Sequence, residues 1–157
     1  MAFSSPLNCH FTTQPREAIY TLYPDVDRSF GSRGSFLAGG TTGGVYVVNP
    51  PYSAPLLQST ATRVLTALEG GCESREAPSR TFYIYLPHWT DDEGISRLMK
   101  SSYCRYTLAI REPHAIHDMF ADKLITLRVP NLFLVLSNDT AFSLDRPEEL
   151  AKAVRGL

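Results

Sequence analysis

Short apolar runs alternate with longer amphipathic segments along this chain. The continuously apolar run Val45–Val48 predicts a buried parallel strand that is covered on both faces. A helix is predicted from about Pro55 to Glu69, ended by the glycine pair at 70–71. Its apolar stripe consists of Leu57, Ala61, Val64, Leu65 and Leu68. Further strands are predicted over 81–86, 103–110, 124–129 and 132–136, the last two as a pair.

The remaining pattern predicts three more helices and one long loop. A short helix opens at Pro15, carries Ile19, Leu22 and Tyr23 on one face, and closes at Pro24-Asp25. Two others are predicted over 94–102 and 145–156. Residues 25–44 contain six glycines and are predicted to be a glycine-rich loop that wraps a ligand or simply connects two elements.

Strand, crossover helix and strand in succession favour an α/β fold, a three-layer sandwich around a mostly parallel sheet. In such sheets functional residues lie beyond the carboxyl ends of the strands. Asn49 follows one predicted strand, and the corner Pro87-His88-Trp89 follows the next. The candidate site is therefore expected at this edge.

The tetrapeptide Asn49-Pro50-Pro51-Tyr52 is typical of a site that holds an exocyclic amine for methylation. The Asn49 side-chain oxygen and the Pro50 carbonyl can accept two N–H bonds and free the nitrogen lone pair for attack. The prolines stiffen the turn, and Tyr52 offers a flat face to a base. The alternative is a turn that merely ends a strand, since Asn-Pro and Pro-Pro mark turns anyway.

Four segments in order carry a resemblance to a known family. They are Ser5-Pro6-Leu7-Asn8-Cys9, Phe30-Gly31-Ser32-Arg33-Gly34, the Asn-Pro-Pro-Tyr motif, and 82–89 with its end Pro87-His88-Trp89. Together they resemble the phosphorylated-CTD-interacting factor family of cap-specific adenosine N6-methyltransferases, over roughly residues 3 to 140. The resemblance implies a Rossmann-like methyltransferase domain, S-adenosylmethionine as cofactor, and the 2′-O-methyladenosine beside the messenger RNA cap as substrate. It also implies a nuclear protein.

The same resemblance implies roles for particular residues. Asn49, Pro50, Pro51 and Tyr52 would be catalytic, and Ser5, Pro6, Leu7 and Asn8 would line the cofactor pocket. Arg33, His88 and Trp89 are candidate substrate-binding residues, with Gly31–Gly34 cradling a phosphate. The alternative for Gly31–Gly34 is a flexible turn with a solvated arginine. The alternative for Trp89 is a core residue at the end of a strand.

The chain also departs from the family. An acidic residue and a whole first strand normally precede the Ser-Pro-Leu-Asn stretch, whereas only residues 1–4 stand here. Residues 1–157 are therefore expected to form a single partial methyltransferase domain, its first strand missing or supplied by a partner segment. An unpaired sheet edge or a shallow groove is expected there.

The alternative function is a catalytically inactive scaffold within a larger RNA-associated complex. A third hypothesis is a protein-glutamine or DNA-adenine methyltransferase, which use similar tetrapeptides.

Composition narrows these options little further. With 157 residues, 43% hydrophobic and 20% charged, the chain is a globular domain. A net charge of −1 gives no global basic footprint, so RNA binding needs a local patch. Three cysteines without paired spacing, and a His114/His117 pair with no suitable partner, predict no metal site. No segment has the length or pattern of a secretory signal or membrane span, so a cytoplasmic or organellar location also remains open.

Overall fold

The computed structural model describes residues 2–3, 19–39, 41–70, 78–111, 114–118, 123–127 and 129–155. The helices are α1 (Pro24–Asp27), α2 (Ala54–Glu69), α3 (Glu93–Lys100) and α4 (Pro147–Arg155). The strands are β1 (Ile19–Thr21), β2 (Ser32–Ser35), β3 (Gly44–Val48), β4 (Arg80–Pro87), β5 (Cys104–Ile110), β6 (His114–Asp118), β7 (Lys123–Leu127) and β8 (Asn131–Ser137).

A four-stranded mixed sheet in the order β3-β4-β8-β5 organises the fold. Strands β3 and β4 are parallel, with Val48 opposite Ile84. Strand β8 is antiparallel to both β4 and β5, so β5 points the same way as β3 and β4. The prediction of a mostly parallel sheet is therefore wrong at one strand: β8 inserts between two strands that α3 connects, and it reverses the direction of both neighbouring ladders.

Helix α2 forms where the apolar periodicity predicts it. Its buried side chains are Leu57, Thr60, Ala61, Val64, Ala67 and Leu68. Pro55 lies in its first turn, where the missing N–H costs nothing. Helix α3 begins at an Asp92 cap whose carboxylate accepts from the Ile95 N–H at 3.0 Å. Both predicted helices are thus confirmed, and they pack against each other on the sheet.

The largest group of core side chains lies on one face of the sheet, and Phe133 and Val135 of β8 are buried on the other. Along β4 the residues Phe82, Ile84 and Leu86 are buried with α2 and α3, whereas Tyr83 and Tyr85 point to the opposite face and are half-buried. Full burial stabilises each large apolar side chain by about 1.5–3 kcal/mol relative to exposure. The described core contains one layer of helices. The structure therefore supports a mixed α/β fold with helices packed on a sheet, and it does not show the second helical layer of a three-layer Rossmann-like sandwich.

Strand β3 lies at the edge of the described sheet. The expectation that it is central and covered on both faces is wrong, because Val45 is 68% exposed and Val47 47% exposed. On its outer side Ala2 forms a parallel bridge with Val48, and the Ala2 N–H donates to the Val47 carbonyl at 2.8 Å. The N-terminal segment thus occupies one position of the edge that was expected to be unpaired.

The region before β3 differs from its prediction. The helix expected from Pro15 is wrong over Ile19–Thr21, which form β1, while residues 4–18 lie outside the described ones. The loop expected over 25–44 contains α1, a 3₁₀ turn at Arg28–Phe30, and β2, which pairs in parallel with β1. Arg63 of α2 holds the segment after β2, because its guanidinium donates to the Phe36 and Gly39 carbonyls.

The segment after β5 also differs in its pairing. Strand β7 pairs with β6, not with β8 as expected, and β6 replaces the mixed segment predicted there. His114 and His117 therefore lie on a strand, and the shared helix face that would have joined them does not exist. The predicted strands 81–86, 103–110 and 132–136 are confirmed as β4, β5 and β8, and α4 confirms the C-terminal helix.

Candidate functional site

The carboxyl ends of β3 and β4 meet at one edge of the sheet, as parallel strands require. The turn 49–53 leaves β3 there, and Pro87-His88-Trp89 leaves β4. Strand β8 begins at the same edge, because Asn131 lies opposite Pro87. The structure thus brings together the two corners that the sequence predicted and adds a third segment, Val129–Asn131.

Asn49 is exposed immediately after β3, whereas Pro50 is buried. The prolines hold a tight turn in which the Ser53 N–H donates to the Pro51 carbonyl at 2.9 Å, and α2 starts directly afterwards. Among the described residues the Asn49 side chain has no hydrogen-bond partner. Its exposure lets a ligand that approaches this edge reach the Asn49 side chain.

Tyr52 is anchored at both ends of its ring. Its hydroxyl donates to Asn131 Oδ1 at 2.9 Å, and its ring lies edge-on to the Trp89 ring with centroids 6.3 Å apart. Trp89 and Tyr52 remain 40% and 39% exposed. The two aromatic rings thus form an L-shaped surface at the sheet edge, a shape suited to a planar ligand.

Burial dominates the electrostatics of this corner. It raises the pKa of Tyr52 to about 12, with the neighbouring Tyr85 hydroxyl adding to the effect. Burial likewise raises the pKa of Tyr85. Both phenols are therefore neutral at physiological pH. Tyr52 thus presents an uncharged ring and a protonated hydroxyl, and it does not act as a base.

His88 and Trp89 are held by their backbone. The His88 N–H donates to the Pro130 carbonyl, and the Trp89 N–H to the Pro87 carbonyl, each at 2.9 Å. His88 is half-buried. The corner is therefore a fixed part of the sheet edge, and the interpretation of Trp89 as a core residue is wrong because of its exposure.

Arg33 lies elsewhere in the fold. It is exposed on β2, and its charge acts on Tyr20, whose pKa is raised mainly by burial, with Tyr46 adding to the rise and Arg33 opposing it. The glycines around it do not form an open cradle, because the Gly31 N–H donates to the Arg28 carbonyl and the Gly34 N–H to Ser32 Oγ. The described contacts do not bring Arg33 to the Tyr52 corner.

The predicted cofactor residues Ser5, Pro6, Leu7 and Asn8 lie outside the described residues. The described residue Ala2 pairs in parallel with Val48, the residue before Asn49. Phe3 then packs on Phe36 with ring centroids 5.5 Å apart.

Asn131 is the residue that sequence reasoning missed. It is completely buried, and its Nδ2 donates to the Val129 carbonyl at 2.9 Å while its Oδ1 accepts from Tyr52. An asparagine after Val129-Pro130 has the pattern of a turn residue. The available signal was a polar residue opening an otherwise apolar strand, since a buried amide requires specific partners.

The described part of the chain shows neither a metal site nor a membrane-spanning helix. No group of three or more His, Cys, Asp or Glu side chains there could hold a metal ion. None of the described helices has the length and apolar character needed to cross a bilayer.

Comparison with known proteins relates this geometry to a family. The family model described as "Phosphorylated CTD interacting factor 1 WW domain" matches residues 1–119. Two similar curated proteins, from Mus musculus and Homo sapiens, are both named "mRNA (2'-O-methyladenosine-N(6)-)-methyltransferase". Each is 28% identical over 110 residues, which cover 69% of this chain and 14% of the relative. The chain thus matches only a small part of these relatives.

Proposed function

The chain belongs to the phosphorylated CTD interacting factor 1 family, and we propose that it carries the amine-binding site of an S-adenosylmethionine-dependent RNA adenosine N6-methyltransferase. One observation carries the proposal: Asn49 is exposed at the carboxyl edge of the sheet, the same edge at which the Tyr52 and Trp89 rings meet. The names of the two relatives support both the reaction and the substrate, the cap-adjacent 2′-O-methyladenosine.

Each residue of the motif has a distinct proposed role. Asn49 Oδ1 and the Pro50 carbonyl accept the two N–H bonds of the adenine N6 amino group, so that its lone pair points away from the ring. Pro51 stiffens the turn. Tyr52 stacks on the adenine, and His88 and Trp89 border the base.

Bound S-adenosylmethionine supplies an electrophilic methyl group. The Ser5–Asn8 segment would hold this cofactor, and the methylated amine would release its surplus proton to solvent. The contribution of this chain is to hold and orient the amine, and Asn49 remains neutral throughout. The cofactor contact proposed at Ser5–Asn8 lies a few residues after Ala2, which pairs with Val48 next to Asn49.

The proposal includes partners and location. Capped RNA is the proposed substrate, and the nucleus is the proposed location because the family is named for an interaction with the phosphorylated CTD. A partner segment that completes the sheet beside β3 is also proposed, since Ala2 supplies only one bridge to that edge within the described residues.

The second candidate function is a catalytically inactive scaffold in an RNA-associated complex. The incomplete pairing of β3 favours it, because an edge strand with exposed apolar side chains invites another chain to pair with it. A scaffold needs no amine-binding residue, so the effect of substituting Asn49 distinguishes the two functions.

Asn49→Ala tests the proposal on capped RNA that starts with 2′-O-methyladenosine. Loss of the acceptor should lower kcat about a hundredfold or more, because it removes a hydrogen bond at the reacting centre. Affinity for S-adenosylmethionine, measured by isothermal titration, should stay nearly unchanged. Wild-type turnover in the variant would exclude Asn49 as the amine acceptor. Cofactor binding without transfer in the wild type would favour the scaffold, and transfer to DNA adenine or to glutamine would identify the third class.

A further inference from the structure

A buried asparagine holds the far end of the proposed base-stacking ring. We propose that Asn131 is a positioning residue, which holds the Tyr52 ring in place through the Tyr52 hydroxyl before a substrate binds. The inference rests on the proposed function, where Tyr52 stacks on the target base.

The direction of the hydrogen bond follows from the partners of Asn131. The Val129 carbonyl can only accept, so the amide nitrogen Nδ2 must face it, and the two atoms lie 2.9 Å apart. Oδ1 then faces Tyr52, and the phenol must donate its proton. That proton is committed to Asn131 and is not offered to a substrate, so Tyr52 acts through its ring.

Asn131 is suited to positioning because it cannot move easily. It opens β8, where it pairs with Pro87 of β4 on one side and Ile110 of β5 on the other, and it is 0% exposed. Tyr52 lies on the turn that follows β3, 79 residues away in sequence. The hydroxyl bond therefore couples the turn of the proposed site to the first residue of β8, an inner strand of the sheet.

The bond also explains what the hydroxyl of Tyr52 contributes. Without it, the ring could swing about its side-chain torsions, limited by the edge-on contact with Trp89. With it, the ring is held at the Trp89 contact and at the hydroxyl end. A stacking surface fixed in advance lowers the ordering cost of binding a base.

Trp89 is the single tryptophan of the chain, so its fluorescence reports selectively on this corner. Asn131→Leu and Tyr52→Phe, which break the bond from either side, should both increase acrylamide quenching of Trp89 in the full chain. The matched control is Asn138→Leu. Asn138 lies just beyond the other end of β8 and holds the Arg80 N–H at 2.7 Å, far from Trp89 in register.

Quenching in the control should match the wild type. Unchanged quenching in both Asn131→Leu and Tyr52→Phe would refute the proposal. Tyr52→Phe keeps the ring and changes one atom, so it decides the question even if Asn131→Leu does not fold.

Kinetics on the capped RNA then separate positioning from a general structural role. Asn131→Leu should raise KM about threefold to tenfold, the range expected for one lost hydrogen bond. In a Tyr52→Phe background the same substitution should change KM no further, because the hydroxyl through which Asn131 acts is gone. Additive effects would overturn the proposal. A wild type without methyl transfer would refute the proposed function, while the quenching of Trp89 would still decide the role of Asn131.

Discussion

Tyr52→Phe removes one oxygen from the protein and leaves the ring in place. Asn131 Oδ1 is fully buried and accepts from that hydroxyl at 2.9 Å. Depriving a buried acceptor of a donor costs about 1–3 kcal/mol in the free energy of unfolding. Only the hydroxyl is lost, so any void is no larger than one oxygen atom, and we expect a destabilisation within that range.

Urea and thermal unfolding measure the loss. At this chain length each kcal/mol lowers Tm by about 2–4 °C. The matched control is Tyr23→Phe, because Tyr23 is 67% exposed and its substitution should change the free energy by no more than about 0.5 kcal/mol. If Tyr52→Phe is as mild as Tyr23→Phe, the hydroxyl bond contributes nothing and the anchoring argument fails.

The double variant sharpens this test. Removing both polar partners at once can be nearly neutral, whereas removing one leaves the other desolvated. Tyr52→Phe combined with Asn131→Leu should therefore destabilise by less than the sum of the two single variants. The non-additive part measures the coupling between the two side chains.

Further tests concern pH and packing. The pKa of Tyr52 is raised to about 12, so its contribution to stability is full below pH 10 and is lost as pH rises from 10 towards 12; Tyr52→Phe should flatten that decline in the free energy of unfolding. Gly94→Ala would put a Cβ 2.9 Å from Gln58 Cα at the α2–α3 contact, so it should cost about 1–3 kcal/mol in urea unfolding, unlike Gly70→Ala. Ile84→Ala, at a fully buried position of β4, should cost about 2–5 kcal/mol in the same assay.

The elements with strong periodicity could be predicted from the sequence. The apolar stripe of α2 identifies its buried face correctly, since local period and tertiary burial agree there. The short element at Ile19–Thr21 could not be predicted in this way. Its three residues fit a helix face equally well, and pairing with β2, eleven or more residues away, decides for a strand.

The order of the strands could not be predicted from the local sequence pattern, for a similar reason. A continuously apolar run predicts a strand covered on both faces, yet β3 exposes Val45 and Val47 at an edge. The insertion of β8 between β4 and β5 depends on a long-range contact that no local signal encodes. The corner at Asn49 and Trp89 was nonetheless predicted correctly, because the rule on carboxyl ends needs only the direction of β3 and β4.

That same rule bears on the cofactor. Ala2 pairs with Val48 in parallel, so the chain at Ala2 and the chain at Val48 advance towards the same edge of the sheet. Asn49 follows Val48 directly, and the Ser5–Asn8 segment follows Ala2 and Phe3 within a few residues. Within the described residues, this bridge places Ala2 beside the end of β3 that leads to Asn49. A methyl donor and an amine that react must meet at one place, so the cofactor role proposed for Ser5–Asn8 requires that segment to reach the edge that carries Asn49.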